Sequence, residues 1–230
     1  MKIIIVAGGA PPSKKLSTKE ITKNCIVIAT DSGADCLWRY KIAPDYLIGD
    51  LDSINRDALK FLMDKNSSIE VYPCEKNFTD SELALKKAKE LKKLDSRPRQ
   101  KHSRITRGND DPLEIVFLGA IGGNRADHFL AVLGLLDKCL TSNIKASLKD
   151  DYQTITLIKK STTISGKKGN LFSLQAFGSP VRGLSITGSK YTLKNHTLKM
   201  GSGLTISNEF QNKKVNIKLR SGKLLVITVN

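Results

Sequence analysis

The chain is poor in cysteine, in aromatic residues and in long apolar runs. Its four cysteines, at positions 25, 36, 74 and 139, form no Cys-x-x-Cys pair and have no histidine at ligand spacing. That excludes a disulfide framework and a zinc finger, and predicts reduced thiols. No apolar stretch approaches the roughly 20 residues that cross a bilayer. The opening Met-Lys-Ile-Ile-Ile-Val-Ala-Gly-Gly is too short for the core of a secretory leader. It reads as a buried first strand, so a cytoplasmic protein with no membrane partner is expected. Aromatic residues make up 6%, which leaves few platforms for stacking unpaired bases. A GxxxxGK[ST] loop is absent, and Gly8-Gly9 lack the GxGxxG spacing. Walker-type and NAD-type sites are therefore disfavoured.

What is present is an ordinary globular composition over 230 residues, 40% hydrophobic and 26% charged, enough to bury a core. The formal net charge is +16, and only 9 of the 38 basic residues are arginine. Such a charge suits a polyanion, either nucleic acid or a phosphorylated small molecule. Lysine is the poorer bidentate partner of bases, which with the few aromatics speaks against nucleic acid. Steering of an anionic nucleotide is compatible with the same charge.

Residues 1–148 alternate short β-branched runs with helical periods. The runs are Ile3–Val6, Cys25–Ala29, Tyr46–Ile48, Ile69–Tyr72 and Ile115–Leu118. Asp80–Leu94 and Arg125–Leu140 repeat apolar residues near every 3.6 positions, and Asp31–Tyr40 and Asn55–Lys65 are shorter helical candidates. This alternation predicts βαβ units and a parallel, Rossmann-like sheet. From residue 149 to 230 the runs are short and punctuated by Gly, Ser or Asn: Thr154–Ile158, Leu171–Ala176, Leu184–Thr187, Thr197–Lys199, Leu204–Ser207, Lys214–Leu219 and Lys223–Val229. That pattern predicts an all-β sandwich. The break falls near Ser147–Asp151. Residues 92–112 are basic and nearly devoid of apolar side chains, and read as a flexible insertion.

Polar residues gather where the strands of the first half end. Gly8-Gly9 follows the first. Asp31-Ser32-Gly33-Ala34-Asp35 follows the second, and Gly49-Asp50-Leu51-Asp52-Ser53 the third. Thr79-Asp80-Ser81-Glu82 comes after the fourth, and Gly122-Gly123-Asn124-Arg125-Ala126-Asp127-His128 after the fifth. In a parallel sheet these loops share one edge, where open α/β sheets bind ligands. Asp31, Asp80 and Asn124 could each be helix caps, but capping does not explain Asp50 together with Asp52. On an extended backbone those two carboxylates share a face and repel unless a cation lies between them, as Mg²⁺ does when it bridges acids to phosphates. The glycine turn and Arg125 suit phosphate oxygens. His128 could donate to a phosphate, act as a base, or anchor the turn.

In this order the clusters resemble those of the thiamine pyrophosphokinase family. Gly188-Ser189-Lys190-Tyr191 and Ser207-Asn208-Glu209 are similar to that family's thiamine-side motifs. The resemblance implies an α/β catalytic domain for ATP and a β-sandwich domain that completes the thiamine site. It also implies a homodimer with that site at its interface. The reaction implied is transfer of a pyrophosphoryl group from ATP to the hydroxyethyl oxygen of thiamine, with release of AMP. On this reading Asp50, Asp52 and Asp80 bind Mg²⁺ and, with Arg125, are catalytic. Asp31, Thr79, Asp127 and His128 belong to the substrate pocket. Tyr191 stacks on thiamine, with core packing as the alternative, and Ser207 and Asn208 hydrogen-bond to it. The chain departs from the family pattern at Asn77, where an Asp is usual, at Ser189, where a Leu is usual, and at Asn124, an extra residue before Arg125. The rivals are a basic nucleic-acid-binding module and a kinase with another alcohol acceptor.

Overall fold

Residues 1–73, 77–95 and 112–230 are described by a computed structural model. The chain divides into two units, Met1–Asp150 and Asp151–Asn230. The first contains, in order, β1 (Lys2–Val6), α1 (Lys14–Glu20), β2 (Cys25–Thr30), α2 (Gly33–Arg39), β3 (Tyr46–Gly49), α3 (Arg56–Asp64), β4 (Ser68–Val71), α4 (Asp80–Asp95), β5 (Glu114–Leu118), α5 (Ala126–Thr141) and β6 (Lys145–Lys149). Residues 96–111, most of the expected insertion, lie outside the described residues, whereas 92–95 belong to α4.

Ile3, Ile4, Ile5 and Val6 are all fully buried. A strand without a polar face must be covered on both sides, as strands of parallel sheets are. Accordingly β1 pairs in parallel with both β2 and β5, and the unit's sheet runs β6-β5-β1-β2-β3-β4. The chain moves outward from β1 to β4, returns through α4 and resumes at β5. The strand order therefore reverses between β1 and β5, and a crevice opens beyond their carboxyl ends. Ile4, Val6, Val27, Leu37, Leu47, Leu62, Val116 and Leu118 form one core cluster. Each such side chain contributes roughly 1.5–3 kcal/mol by leaving water.

Two elements of this unit, α1 and β6, were not expected, because each has few apolar residues. Leu16 supplies the one large apolar anchor of α1, and Ser13 caps the helix by accepting from the Leu16 N–H at 3.1 Å. Charge fixes the other side of α1. Glu20, 6% exposed, accepts from Lys2 Nζ at 2.9 Å and from Lys149 Nζ at 2.8 Å, tying α1 to β1 and β6. Burial pushes the Glu20 carboxyl up, but hydrogen bonds and charge from Lys149 and Lys2 outweigh it and leave the pKa below its ordinary 4.5. A depressed folded-state pKa stabilises above the unfolded value, and that stabilisation is lost as pH falls through the folded value. Glu20→Gln should lower the stability at pH 7 by about 2–4 kcal/mol. In urea titrations, the gap between the variant and the parent should narrow below pH 4.5.

The second unit holds β7 (Gln153–Ile158), β8 (Thr162–Ser165), β9 (Leu171–Ala176), β10 (Val181–Thr187), β11 (Leu193–Leu198), β12 (Asn208–Glu209), β13 (Lys214–Lys218) and β14 (Leu224–Val229). They pair antiparallel in two layers, β12-β9-β14-β7 and β11-β10-β13-β8. Alternate residues face inward: Phe172, Leu174, Val181, Leu184, Ile186, Phe210, Val215, Ile217, Leu224 and Val226 fill the core. Phe172 and Phe210 meet edge to face with ring centroids 5.1 Å apart. The fold is thus a parallel α/β unit followed by an antiparallel sandwich, as the patterns predict.

One expected strand is a turn. Leu204 and Ile206 are exposed, whereas Thr205 is buried, its hydroxyl donating to the Leu174 carbonyl at 2.6 Å. The apolar alternation there reports the outward face, so Leu204–Ser207 reads as a strand from sequence and turns in space.

Candidate active site

A cleft of about 660 Å³ lies at the carboxyl edge of the parallel sheet. It is lined by the loops after β1, β2, β3 and β5 and by the start of α4 and α5. Its glycines allow the backbones to approach closely. The Gly9 N–H donates to the Gly119 carbonyl at 2.8 Å, and a Cβ at Gly9 would stand 2.5 Å from that oxygen.

The acids come next. The chain leaves β2 at Asp31 with φ 35°, in the left-handed region that a non-glycine residue rarely adopts. Its Oδ1 accepts from the Leu51 N–H at 3.3 Å. Leu51 itself has φ 63°, so Asp50-Leu51-Asp52 is not extended, contrary to the same-face geometry expected of it. Instead Asp50 Oδ1 accepts from the Asp52 N–H at 3.3 Å, and Asp52 Oδ1 accepts from Ser53 Oγ at 2.6 Å. Both acids still line the cleft, together with Asp31 and Asp80. The Asp31 carboxyl is pushed up to about 7, first by burial, then by a hydrogen bond and charge shared with Asp80, with Asp50 adding repulsion.

Position 49 has no room for a side chain while Asp31 keeps its place. A Cβ there would lie 1.8 Å from Asp31 Oδ1. Two further contacts fix the acid loops. Asp35 Oδ1 accepts from the Asn55 N–H at 2.9 Å, and Asn55 caps α3 through Asp57 N at 2.8 Å. Thr79 and Glu82 form a reciprocal capping box at the head of α4, with Thr79 N donating to Glu82 Oε2 at 3.1 Å and Glu82 N donating to Thr79 Oγ1 at 3.3 Å. Lys138 ion-pairs with Glu82. This box sets where Asp80 begins its helix.

Arg125 and His128 line the cleft, and Asp127 is not among the residues that do. Asp127 instead holds the Arg125 guanidinium in a two-pronged pair, at 3.0 Å from Nε and 2.7 Å from Nη2. The guanidinium draws the Asp127 carboxyl down to about 2. Phe78, Ser53, Ser81, Phe129 and Val132 also line the cleft. Sequence reasoning gave them no role, although Ser53 and Ser81 stand inside quoted motifs; Phe78 is 56% exposed.

Tyr191, Ser207 and Asn208 belong to the second unit. Tyr191 is 57% exposed, so it does not fill the sandwich core. Asn208 is buried and hydrogen-bonded within its own unit. Its Oδ1 accepts from Tyr191 N at 3.1 Å and Glu209 N at 2.8 Å, and its Nδ2 donates to the Tyr191 carbonyl at 2.7 Å. Both lone pairs of that oxygen are used, so Asn208 holds the Tyr191 backbone. Ser207 is exposed, at φ 54°, with its N–H donating to Ser173 Oγ at 3.0 Å.

Residues 18–148 match the family model described as thiamin pyrophosphokinase, catalytic domain, and residues 154–224 match that of the vitamin B1 binding domain. The chain belongs to the thiamine pyrophosphokinase family. The thiamine pyrophosphokinase of Bacillus subtilis is 31% identical over 230 residues, covering 99% of this chain and 98% of the relative. A crystal structure of the B. subtilis enzyme superposes with a TM-score of 0.82 at 28% identity, over 100% of this chain and 99% of that one. The structure of thiamin pyrophosphokinase from Candida albicans gives 0.83 at 18% identity, over 100% and 90%, a likeness of fold. Members of the thiamine pyrophosphokinase family are diphosphotransferases that use ATP.

Proposed function

We propose that the cleft of the α/β unit binds the triphosphate of ATP with Mg²⁺ and transfers its β,γ-pyrophosphoryl group to the hydroxyethyl oxygen of thiamine. The observation that carries this is the gathering of Asp31, Asp50, Asp52 and Asp80, from three sequence stretches, beside glycine loops at the strand-order reversal. The donor set suits Mg²⁺: hard carboxylate oxygens gathered together, with Asp31 pushed up first by burial and then by Asp80. Among the described residues no three acidic, His or Cys side chains stand in ready coordination geometry. Mg²⁺ commonly keeps waters and completes its shell with substrate phosphates. Asp50, Asp52 and Asp80 would hold it, and when bound it offsets charge on the phosphate oxygens.

Catalysis is then mainly positioning and charge neutralisation. Arg125 and the glycine loops face the phosphates, the Gly9 N–H excepted because it is held by the Gly119 carbonyl, and the Arg125–Asp127 pair keeps the guanidinium oriented until an anion competes for it. The alcohol oxygen forms a bond to the β-phosphorus. The bond from that phosphorus to the bridging oxygen breaks, AMP departs with the electron pair, and the alcohol proton leaves late to water. Tyr191 offers an aromatic face to the thiamine cation, and Ser207 precedes the Asn208 that holds the Tyr191 backbone. We further propose a homodimer in which the sandwich of one copy completes the thiamine site of the other. The account as a whole describes a cytoplasmic enzyme.

Incubation with ATP, Mg²⁺ and thiamine should yield AMP and thiamine diphosphate in equal amounts. ADP as the nucleotide product would instead mark a kinase. The loop geometry adds a sharper expectation. Asp35 braces the acid loop through the Asn55 N–H, so Asp35→Asn, which keeps an acceptor oxygen, should retain most activity. Asp35→Ala should lower kcat about tenfold and raise the Mg²⁺ concentration needed for half-maximal rate. Loss of a hydrogen bond to a charged group costs about 1.5–3 kcal/mol, which a thermal melt will read separately from the Mg²⁺ dependence.

A further inference from the structure

The excess positive charge is not spread evenly. Residues 151–230 contain 13 Lys and Arg and only two acids, Asp151 and Glu209. Glu209 is ion-paired with Lys190 at 2.7 Å on the β12 side, and Asp151 is the first residue of the unit. The layer β11-β10-β13-β8 therefore carries no acid at all, but has Arg182, Lys194, Lys214 and Lys218.

Register places several of these on one outward face. In β13 Val215 and Ile217 are buried, so Lys214, Asn216 and Lys218 point the other way and are exposed. Lys214 lies opposite Ser165, Asn216 lies between Thr163 and Thr187, and Lys218 lies opposite Ser185. Thr163 Oγ1 donates to Asn216 Oδ1 at 2.8 Å. The result is a row of hydroxyl and amide groups flanked by lysines, bordering a shallow depression of about 450 Å³. At about 3.3 Å per residue, Lys214 and Lys218 stand about 13 Å apart, wide enough to meet different phosphates of one strand.

We propose that this face binds nucleic acid through its phosphate backbone, independently of the catalytic cleft. The scarcity of arginine and aromatics argues against base readout and stacking. It does not argue against phosphate contact, for which lysines and hydroxyls suffice. An anionic membrane is the less fitting partner. None of the exposed large apolar residues of the unit lies on β8, β10, β11 or β13, and surface-bound proteins insert apolar side chains between lipids.

The test measures binding of the full chain to a labelled 20-base-pair DNA duplex and a 20-nucleotide RNA by anisotropy, from 50 to 200 mM salt. Both probes share the phosphate chemistry, and the two arms tell which form is preferred. Lys214→Ala/Lys218→Ala should weaken binding at 50 mM salt at least tenfold and flatten the slope of log K against log salt by about 2. AMP formation and the melting temperature should be unchanged. Lys60→Ala/Lys65→Ala, an equal charge loss on exposed residues flanking α3's last turns, should leave binding within about twofold. Absence of binding by the parent at 50 mM salt would overturn the proposal. So would equal losses in the two double variants, or face-dependent capture by phosphatidylglycerol vesicles with nucleic-acid binding unaffected.

Discussion

Asp50→Asn and Asp52→Asn should each reduce kcat for AMP formation about a thousandfold, while the thermal melt shifts little. The expected loss is roughly 4 kcal/mol of transition-state stabilisation, at 1.36 kcal/mol per decade. It arises because an amide presents one neutral oxygen where a carboxylate presents a charge to the cation and its phosphates. Folding should survive, because the amide matches each acid in size and keeps an acceptor oxygen. Asp52 is exposed and Asp50 half-buried, and their described hydrogen bonds stay within their own loop. An amide oxygen can still accept from the Asp52 N–H or the Ser53 hydroxyl. Steady-state kinetics alongside circular dichroism separates the two outcomes. A variant that is inactive because it is unfolded would make these acids structural.

Gly49→Ala should be as damaging by a different route. The added methyl would stand 1.8 Å from one oxygen of Asp31 and 2.5 Å from its Cγ. That carboxylate cannot simply swing away. It accepts from the Leu51 N–H, lies against Asp80, and extends from a backbone already at φ 35°. Either Asp31 leaves the cleft or β3 shifts against β2, whose register pairs Ala29 with Leu47 and Thr30 with Ile48 next to the site. Overpacking of this kind costs about 1–3 kcal/mol, and a displacement of about 1 Å at a reacting centre can cost a hundredfold in rate. The expected result is at least a hundredfold loss of kcat with a measurable fall in the urea midpoint. The double variant Gly49→Ala/Asp31→Ala should regain stability but not activity.

Much of this was legible in the sequence, for stated reasons. The fully apolar Ile3–Val6 announced a strand covered on both faces, and strands followed by helical periods fixed a parallel sheet. A parallel sheet delivers every loop after a strand to one edge, so acids distant in sequence could be assigned to one place before any coordinates. What stayed hidden depends on backbone detail. Leu51 adopts φ 63° and gives its N–H to the Asp31 carboxylate, and nothing in Asp50-Leu51-Asp52 as a string reveals that. Asn208 enters as a ligand contact through the family resemblance; what the string does not reveal is that its oxygen holds the Tyr191 and Glu209 N–H groups and its Nδ2 the Tyr191 carbonyl. Elements such as α1, β6 and β8 lack periodic apolar residues and are held by neighbours, through Glu20 in the first case and by sheet pairing in the others. At Leu204–Ser207 the alternation was real but faced outward.

We propose that acids from three stretches of chain converge at one sheet edge to hold a cation and a triphosphate. A crystal structure of the protein with Mg²⁺ and an ATP analogue whose α,β-bridging oxygen is a methylene tests it most directly. The account predicts density for the ion beside Asp50, Asp52 and Asp80, and phosphates between the Gly8-Gly9 and Gly122-Gly123 turns. Well-ordered analogue bound elsewhere, with those carboxylates touching neither metal nor phosphate, would contradict it.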